Sequence, residues 1–272
     1  MRLMTSVMLQ YASTLGAWVK AAGMGLPPMI HRKSSAALAD EHAETRLHCD
    51  VTGAKPNSFS NVSAGKTEAQ HREELALFGH MLHQRGLVVA ADGNLSVRME
   101  DGAILATPTS VCKGLMQPED MVVVDDQGNR VKGRRLITSE IGMHLAIYRL
   151  RPDVMAVVHA HPPIATGFAA AGLAIDQPLV AESVVCLGTV PLAPFAMPGT
   201  PALAQSMEQF IPDHNAVLLA NHGAVTYGET LQQAFWRMET LEHVAKITLV
   251  TRVLGQQNPL AEGDVRRLLG VI

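Results

Sequence analysis

The sequence predicts an α/β domain in which a sheet is covered by helices. Short apolar, β-prone runs such as Val154–Val158 and Val217–Ala220 supply the strands. Apolar stripes at helical spacing lie between them, and clusters of Gly, Pro, Asn and Asp close them off. The chain has 272 residues, 47% of them apolar, which is ample for a sizeable core.

Residues 1–66 differ in composition from the rest. The mildly apolar stretch from Met4 to Leu26 is interrupted by Gln10, Ser13, Thr14 and Lys20, a poor match to an export signal. His31 to Lys66 is polar and poor in large apolar residues, so this extension is expected to be disordered or loosely docked. The folded domain is expected over residues 67–272.

In that domain Leu75, Phe78, Met81 and Leu82 recur at helical spacing, and Gly86 stops the helix. Leu95–Met99, Ala103–Ala106 and Met121–Val124 read as strands separated by turns. Thr138-Ser139-Glu140 opens a helix with Ile141, Leu145 and Tyr148 as its stripe, placing Glu140 in the first turn. Ala165–Ala171 reads as a short helix and Val180–Leu187 as a strand carrying Glu182. Val190–Phe195, broken by two prolines, reads as an edge segment. Thr200-Pro201 starts a helix to about Phe210, and Thr230 to Gln233 forms a capping box for a long helix that stops at Gly255.

The chemistry concentrates in Val157-Val158-His159-Ala160-His161-Pro162-Pro163 and Ala220-Asn221-His222-Gly223. Side chains i and i+2 of a strand share a face, so His159 and His161 point the same way. The two prolines end that strand, and His222 follows a second one. Three neutral imidazoles with one open position are what a catalytic zinc requires. Manganese, cobalt or iron could occupy the same nitrogen set. Glu140 is either an ordinary first-turn acid or a partner of these histidines. The turns Gly93-Asn94-Leu95-Ser96 and Thr107-Pro108-Thr109-Ser110, with the helix start at Thr138-Ser139, carry the hydroxyl, amide and N–H groups that hold anions without arginine.

Composition excludes several classes. A net charge of −3 argues against nucleic acid as partner. No run approaches the roughly 20 apolar residues of a spanning helix, so no membrane partner is expected. Cys49, Cys112 and Cys186 are few and irregularly spaced, which suits a reducing cytoplasm.

Taken together and in this order, Gly93-Asn94-Leu95-Ser96, Thr107-Pro108-Thr109, Thr138-Ser139-Glu140, His159-Ala160-His161 and Ala220-Asn221-His222-Gly223 resemble the class II aldolase/adducin family, over about Glu73 to Gly255. The resemblance implies a three-layer α/β/α sandwich around a largely antiparallel central sheet, and a homotetramer with sites between subunits. It implies zinc on His159, His161 and His222, one ion per chain, with Glu140 as catalytic acid/base. It places a substrate phosphate among Asn94, Thr109, Ser110, Thr138 and Ser139. Three departures stand out. Ser110 replaces a usual glycine, Thr138 replaces a serine, and the position of the aldolases' catalytic tyrosine falls near Glu182, which is either a substrate contact or a structural acid.

The leading expectation is metal-dependent retro-aldol cleavage of a phosphorylated ketose, fuculose-phosphate-like or a deoxypentulose phosphate, to dihydroxyacetone phosphate and an aldehyde. The alternative on the same fold is decarboxylation of a 3-oxo sugar acid phosphate or an aromatic acid. From another class comes a non-catalytic scaffold like the adducin head, against which the intact histidines and Glu140 speak. A 4-epimerase would carry a further histidine ligand. A His-x-His hydrolase would call for a repeated β/α barrel, and the chain shows no repeat.

Overall fold

The computed structural model describes residues 65–270, so the predicted extension lies outside the described residues except at Gly65 and Lys66. One mixed sheet of eight strands runs in the order β4-β3-β2-β1-β5-β8-β7-β6. Its strands are β1 Asn94–Arg98, β2 Ile104–Ala106, β3 Val122–Val124, β4 Arg130–Lys132, β5 Ala156–Ala160, β6 Leu192–Ala193, β7 Ala216–Leu219 and β8 Gly223–Gly228. Every pairing is antiparallel except β6 with β7. β6 sits at the edge, where the Pro191 and Pro194 that flank it cost the fewest ladder bonds.

Strand alternation deals side chains to two cores. Leu95, Val97, Val158 and Ala160 face one side, where α1 (Glu68–Gln84), α3 (Pro163–Ala170) and α6 (Leu231–Val253) pack with Leu75, Phe168 and Phe235. Val157, Val217, Val225 and Tyr227 face the other, against α2 (Ile141–Leu150) and α5 (Pro201–Met207) through Met143, Ile147 and Leu203. This is the expected three-layer sandwich around a largely antiparallel sheet. Two shorter helices, α4 (Ala181–Cys186) and α7 (Glu262–Leu268), complete the described chain. Among the described residues no helix is long and apolar enough to cross a membrane.

Local chemistry explains the main helices. α1 starts with a full capping box: Thr67 accepts from the Gln70 N–H at 3.3 Å and the Gln70 side chain accepts from the Thr67 N–H at 2.8 Å. α6 realises half of its expected box. Thr230 accepts from the Gln233 N–H at 3.1 Å, but Gln233 reaches back to the Glu229 N–H at 2.9 Å instead of to the cap residue.

Two local expectations are corrected. Val180–Leu187 is not a strand; its centre is α4, with Ser183, Val184 and Leu187 buried at helical spacing. β-branched residues suggest a strand, but tertiary packing on α6 overrides that preference. The Arg237 guanidinium meets the Cys186 carbonyl at 3.4 Å at the carboxyl end of α4, and Gly188 follows at φ +69°. α2 begins one residue later than expected, so Glu140 is its N-cap and not part of its first turn. The buried face of α2 is Met143, His144, Ile147 and Tyr148, while Ile141 and Leu145 lie at its margin.

The strand bearing the first two histidines ends against α3. Pro162 and Pro163 cannot donate, and the next two amides, Ile164 and Ala165, are taken by Glu242 of α6 at 2.9–3.0 Å. Replacing Glu242 by Ala orphans both donors. The expected result is a loss of about 1–3 kcal/mol in urea unfolding at pH 7 with an unchanged m-value.

Candidate metal centre

His159 is the penultimate residue of β5, and His161 follows its end. His222 stands in the three-residue hairpin that joins β7 to β8, whose register pairs Leu219 with Gly223. Asn221 supports that hairpin at φ +55°, a left-handed conformation asparagine tolerates better than most residues. β5 and β8 are neighbours, so the strand-end pair and the hairpin histidine meet. Their ring centroids are 4.8, 5.0 and 5.1 Å apart. One ligand nitrogen from each lies within 4.8 Å of the others.

The polarity of the cluster can be read from its outer bonds. His159 Nδ1 lies 2.9 Å from the Ala224 carbonyl, which fixes the proton there and turns the Nε2 lone pair inward. Asp92 Oδ2 lies 3.5 Å from His161 Nδ1 and orients that ring in the same sense. On the inner side His159 Nε2 and His161 Nε2 are 3.2 Å apart. Glu140 Oε2 is 3.3 Å from His159 Nε2, and Glu140 Oε1 is 3.2 Å from His222 Nε2. Burial pushes the His159 imidazole well below its ordinary value, with the His161 and His222 rings reinforcing the shift; His222 shifts down too, mainly by burial, against the pull of Glu140.

Three imidazole nitrogens and a carboxylate therefore converge on one point. That arrangement fits a divalent cation. Two metal–nitrogen bonds of about 2.0–2.1 Å at a tetrahedral angle separate their nitrogens by about 3.3 Å, close to the 3.2 Å seen for His159 and His161. Glu140 Oε1 is buried and has no hydrogen-bond donor, as a carboxylate turned toward a cation would be.

The turns expected to hold a phosphate lie beside one another. Thr107 accepts from the Leu95 N–H at 3.1 Å, which ties the second turn to β1. Pro108 bridges Ile137, and the Thr109 N–H donates to the Leu136 carbonyl at 3.1 Å, which lays the Thr109-Ser110 turn beside Thr138-Ser139. Ser110 stands at φ +58°, the left-handed conformation that glycine would have taken without strain. Thr138 is buried and accepts from the Glu140 N–H at 3.3 Å, while Ser139 and Glu140 line an open groove of about 430 Å³ together with Gly199 and Thr200. Asn94 donates to Glu140 Oε2 at 2.8 Å, so it belongs to the carboxylate as well as to the turns. Glu182 is not brought in; it is exposed on α4.

Two residues at the site were missed in the sequence. His144 is fully buried one helical turn beyond Glu140 and meets Asn94 Oδ1 at 2.5 Å. Its signal was the i, i+4 spacing from Glu140. Lys113 is fully buried, its amine pushed down by desolvation to about 8, and it donates to the Ala91 and Val111 carbonyls at 3.2 and 2.9 Å. It fastens the turn before Gly93 to the loop after Ser110. No local pattern around Lys113 announces this.

Comparison with known proteins agrees with the architecture. The model of the Class II Aldolase and Adducin N-terminal domain matches residues 73–249. The chain belongs to the class II aldolase/adducin family. It is 38% identical over 189 residues to the 3-oxo-tetronate 4-phosphate decarboxylase of Escherichia coli strain K12, covering 68% of this chain and 89% of the relative. It is 33% identical over 201 residues to the 5-deoxy-D-ribulose 1-phosphate aldolase of Bacillus thuringiensis serovar kurstaki, covering 73% and 93%. A solved L-fuculose 1-phosphate aldolase superposes with a TM-score of 0.70 at 31% identity, covering 74% of this chain and 94% of that one.

Two outcomes follow. A Cβ on Gly223 would stand 2.5 Å from His161 Cδ2 and 2.6 Å from the Ala160 carbonyl, so Gly223→Ala displaces a ligand ring. Metal content by atomic emission is expected to fall by about 10-fold or more at limiting zinc, with the fold kept. The second concerns acid. The folded chain holds His144 unprotonated down to about 3, whereas the unfolded chain protonates it near the ordinary 6.5. The unfolded state then binds more protons, so this contribution is full above about 6.5 and is lost as pH falls toward about 3. Urea midpoints of metal-free protein should fall over that window, and less steeply in His144→Gln.

Proposed function

We propose that the protein is a metal-dependent carbon–carbon lyase that decarboxylates a 3-oxo sugar acid phosphate to dihydroxyacetone phosphate. The observation that carries this reading is the supply of proton-transfer groups. Among the described residues, Glu140 is the acid/base side chain that faces the Nε2 side of the three imidazoles; Asp92 lies behind His161. Decarboxylation of a 3-oxo acid asks for one proton. The C1–C2 bond breaks, its electrons pass into the ketone, carbon dioxide leaves, and C2 takes up a proton to give the triose phosphate. Retro-aldol cleavage asks for two proton movements, one from the departing hydroxyl and one to carbon.

His159, His161 and His222 would hold the cation, zinc being favoured by three imidazoles. When bound, a divalent cation supplies Lewis-acid stabilisation of the negative charge that develops on the substrate oxygens. Glu140, held toward the centre by the Asn94 amide, takes up a proton from water and delivers it to carbon. Asn94, Thr109, Ser110, Thr138 and Ser139 bind the phosphate end and so fix the distance from anchor to reacting carbon. The named activity of the 38% identical relative supports this reading.

Retro-aldol cleavage of a deoxypentulose 1-phosphate is the second reading, supported by the 33% identical aldolase. It stands behind decarboxylation because the residue near the aldolases' tyrosine is Glu182, exposed on α4. Both cleavages leave the same three-carbon fragment, so the triose product alone does not separate them.

The test is to give zinc-loaded protein each substrate and measure triose phosphate together with carbon dioxide and aldehyde. Equimolar carbon dioxide and dihydroxyacetone phosphate from 3-oxo-tetronate 4-phosphate is the expected result. Aldehyde release from the deoxypentulose phosphate without carbon dioxide from the acid would reverse the order of the two readings. Glu140→Gln should retain zinc through the three imidazoles and lose about 10²- to 10⁴-fold in kcat.

A further inference from the structure

Behind Glu140 runs a line of buried hydrogen bonds that the cleavage chemistry does not itself call for. Asn94 Nδ2 donates to Glu140 Oε2 at 2.8 Å, and Asn94 Oδ1 lies 2.5 Å from His144 Nε2. His144 Nδ1 lies 2.7 Å from Ser96 Oγ, which in turn lies 2.7 Å from the Tyr148 hydroxyl. Asn94, Ser96, His144 and Tyr148 are all at least 96% buried. The line alternates between two elements. Glu140 caps α2, and His144 and Tyr148 follow on it at spacings of four, while Asn94 and Ser96 come from β1 at a spacing of two. Around it the same interface is apolar, with Met143, Ile147 and Val157.

The donors and acceptors admit one self-consistent order. A carboxylate oxygen only accepts, so Asn94 must show it the amide nitrogen. The amide oxygen then faces His144, whose Nε2 must carry the proton. A neutral ring protonated at Nε2 has a lone pair at Nδ1, which takes the Ser96 hydroxyl proton, and Tyr148 donates to Ser96. Burial keeps both ends in these forms: it pushes the His144 imidazolium down to about 3 and raises the Tyr148 phenol well above its ordinary value.

We propose that His144 is a positioning residue: by donating from Nε2 to Asn94 Oδ1 it fixes which edge of that amide faces the centre, so that Asn94 turns N–H, and not carbonyl, toward Glu140 and the substrate. The reverse amide would set oxygen against the Glu140 carboxylate and leave a carbonyl facing an anionic substrate. In the observed orientation one N–H is spent on Glu140 and the second remains for the substrate. Ser96 and Tyr148 act one step further back. Their donation to Nδ1 holds His144 in the tautomer that has its proton at the amide. This role rests on Glu140 being the acid/base group of the lyase proposed above.

The first measurement is made on the full chain labelled with 15N-histidine and loaded with zinc. A long-range proton–nitrogen correlation at pH 7 reads the tautomer of each ring, and the His144 signals are those lost in His144→Gln. A neutral ring protonated at Nε2 is expected; a ring protonated at Nδ1, or at both nitrogens, overturns the proposal. This result is independent of which substrate is cleaved. The second measurement compares three variants. Gln at 144 can still donate to Asn94, Asn can reach Ser96 but not Asn94, and Leu can do neither. With zinc content equal to wild type, His144→Gln is expected to keep most of the wild-type kcat, while His144→Asn and His144→Leu lose about 10- to 100-fold. Equal losses in all three would show that the ring only fills space and would overturn the proposal. If the wild-type protein cleaves neither substrate class, the lyase reading falls, and the tautomer alone decides whether His144 orients Asn94.

Discussion

The centre is organised by an electrostatic constraint. Imidazole nitrogens and a carboxylate are held facing one another, at separations of 3.2–3.3 Å, in a place largely shielded from water. Crowded imidazoles disfavour one another's protonation and leave the cluster suited to a cation. The protein holds it open from the outside. The Ala224 carbonyl fixes the tautomer of His159, Asp92 orients His161, and Asn94 holds Glu140. The backbone is part of the same device. His159 and His161 are set by a strand and its end, His222 by a three-residue hairpin, and Gly223 leaves the space that the His161 ring occupies. Metal binding at such a site is coupled to folding, because ligands brought together against repulsion are stabilised by the ion.

The sheet is what allows these polar groups to exist inside an apolar sandwich. A strand residue's face is set by parity, so a chain can turn one face of β1 to Leu95 and Val97 and the other to Asn94 and Ser96. β5 does the same with Val158 and Ala160 on one side and Val157 and His159 on the other. Antiparallel pairing then puts Asn94 directly across from His159. α2 lies over that polar face and contributes Glu140 and His144. The metal site and the apolar cores are thus two outcomes of one alternation.

Much of this was legible in the sequence. The His159-Ala160-His161 triplet, followed by two prolines, announced a strand end with two rings on one side. The Thr138-Ser139-Glu140 start and the Ser and Thr turns announced polar groups that the fold lays side by side. What escaped was information carried between elements. The meaning of His144 depends on Asn94 and Ser96 lying opposite, which a linear reading does not show. β8 was missed because Gly223 to Gly228 is framed by glycines, yet it is an interior strand of six residues between β5 and β7. Val180–Leu187 was misread because β-branched residues were given more weight than the packing that holds them in a helix. Ser110 shows the opposite case. A serine stands there where glycine is usual, and its backbone is nonetheless left-handed.

The same geometry explains why one family can divide between two reactions. Loss of carbon dioxide and loss of an aldehyde both put an electron pair on the carbon beside a ketone, and both need that charge held until a proton arrives. Three imidazoles, a cation and one carboxylate meet that common need. The reactions differ only in the leaving side. An aldehyde leaves from a hydroxyl that must first give up its proton, whereas carbon dioxide leaves from a carboxylate that has none to give. The position that decides between them is therefore not at the cation but at the far end of the substrate, where a second proton acceptor is either present or absent. In this chain the residue nearest the aldolases' tyrosine position sits exposed on α4 and Glu140 faces the centre without a second acid/base side chain from the described residues. A single carboxylate recharged with a proton from water is what the proposed decarboxylation calls for.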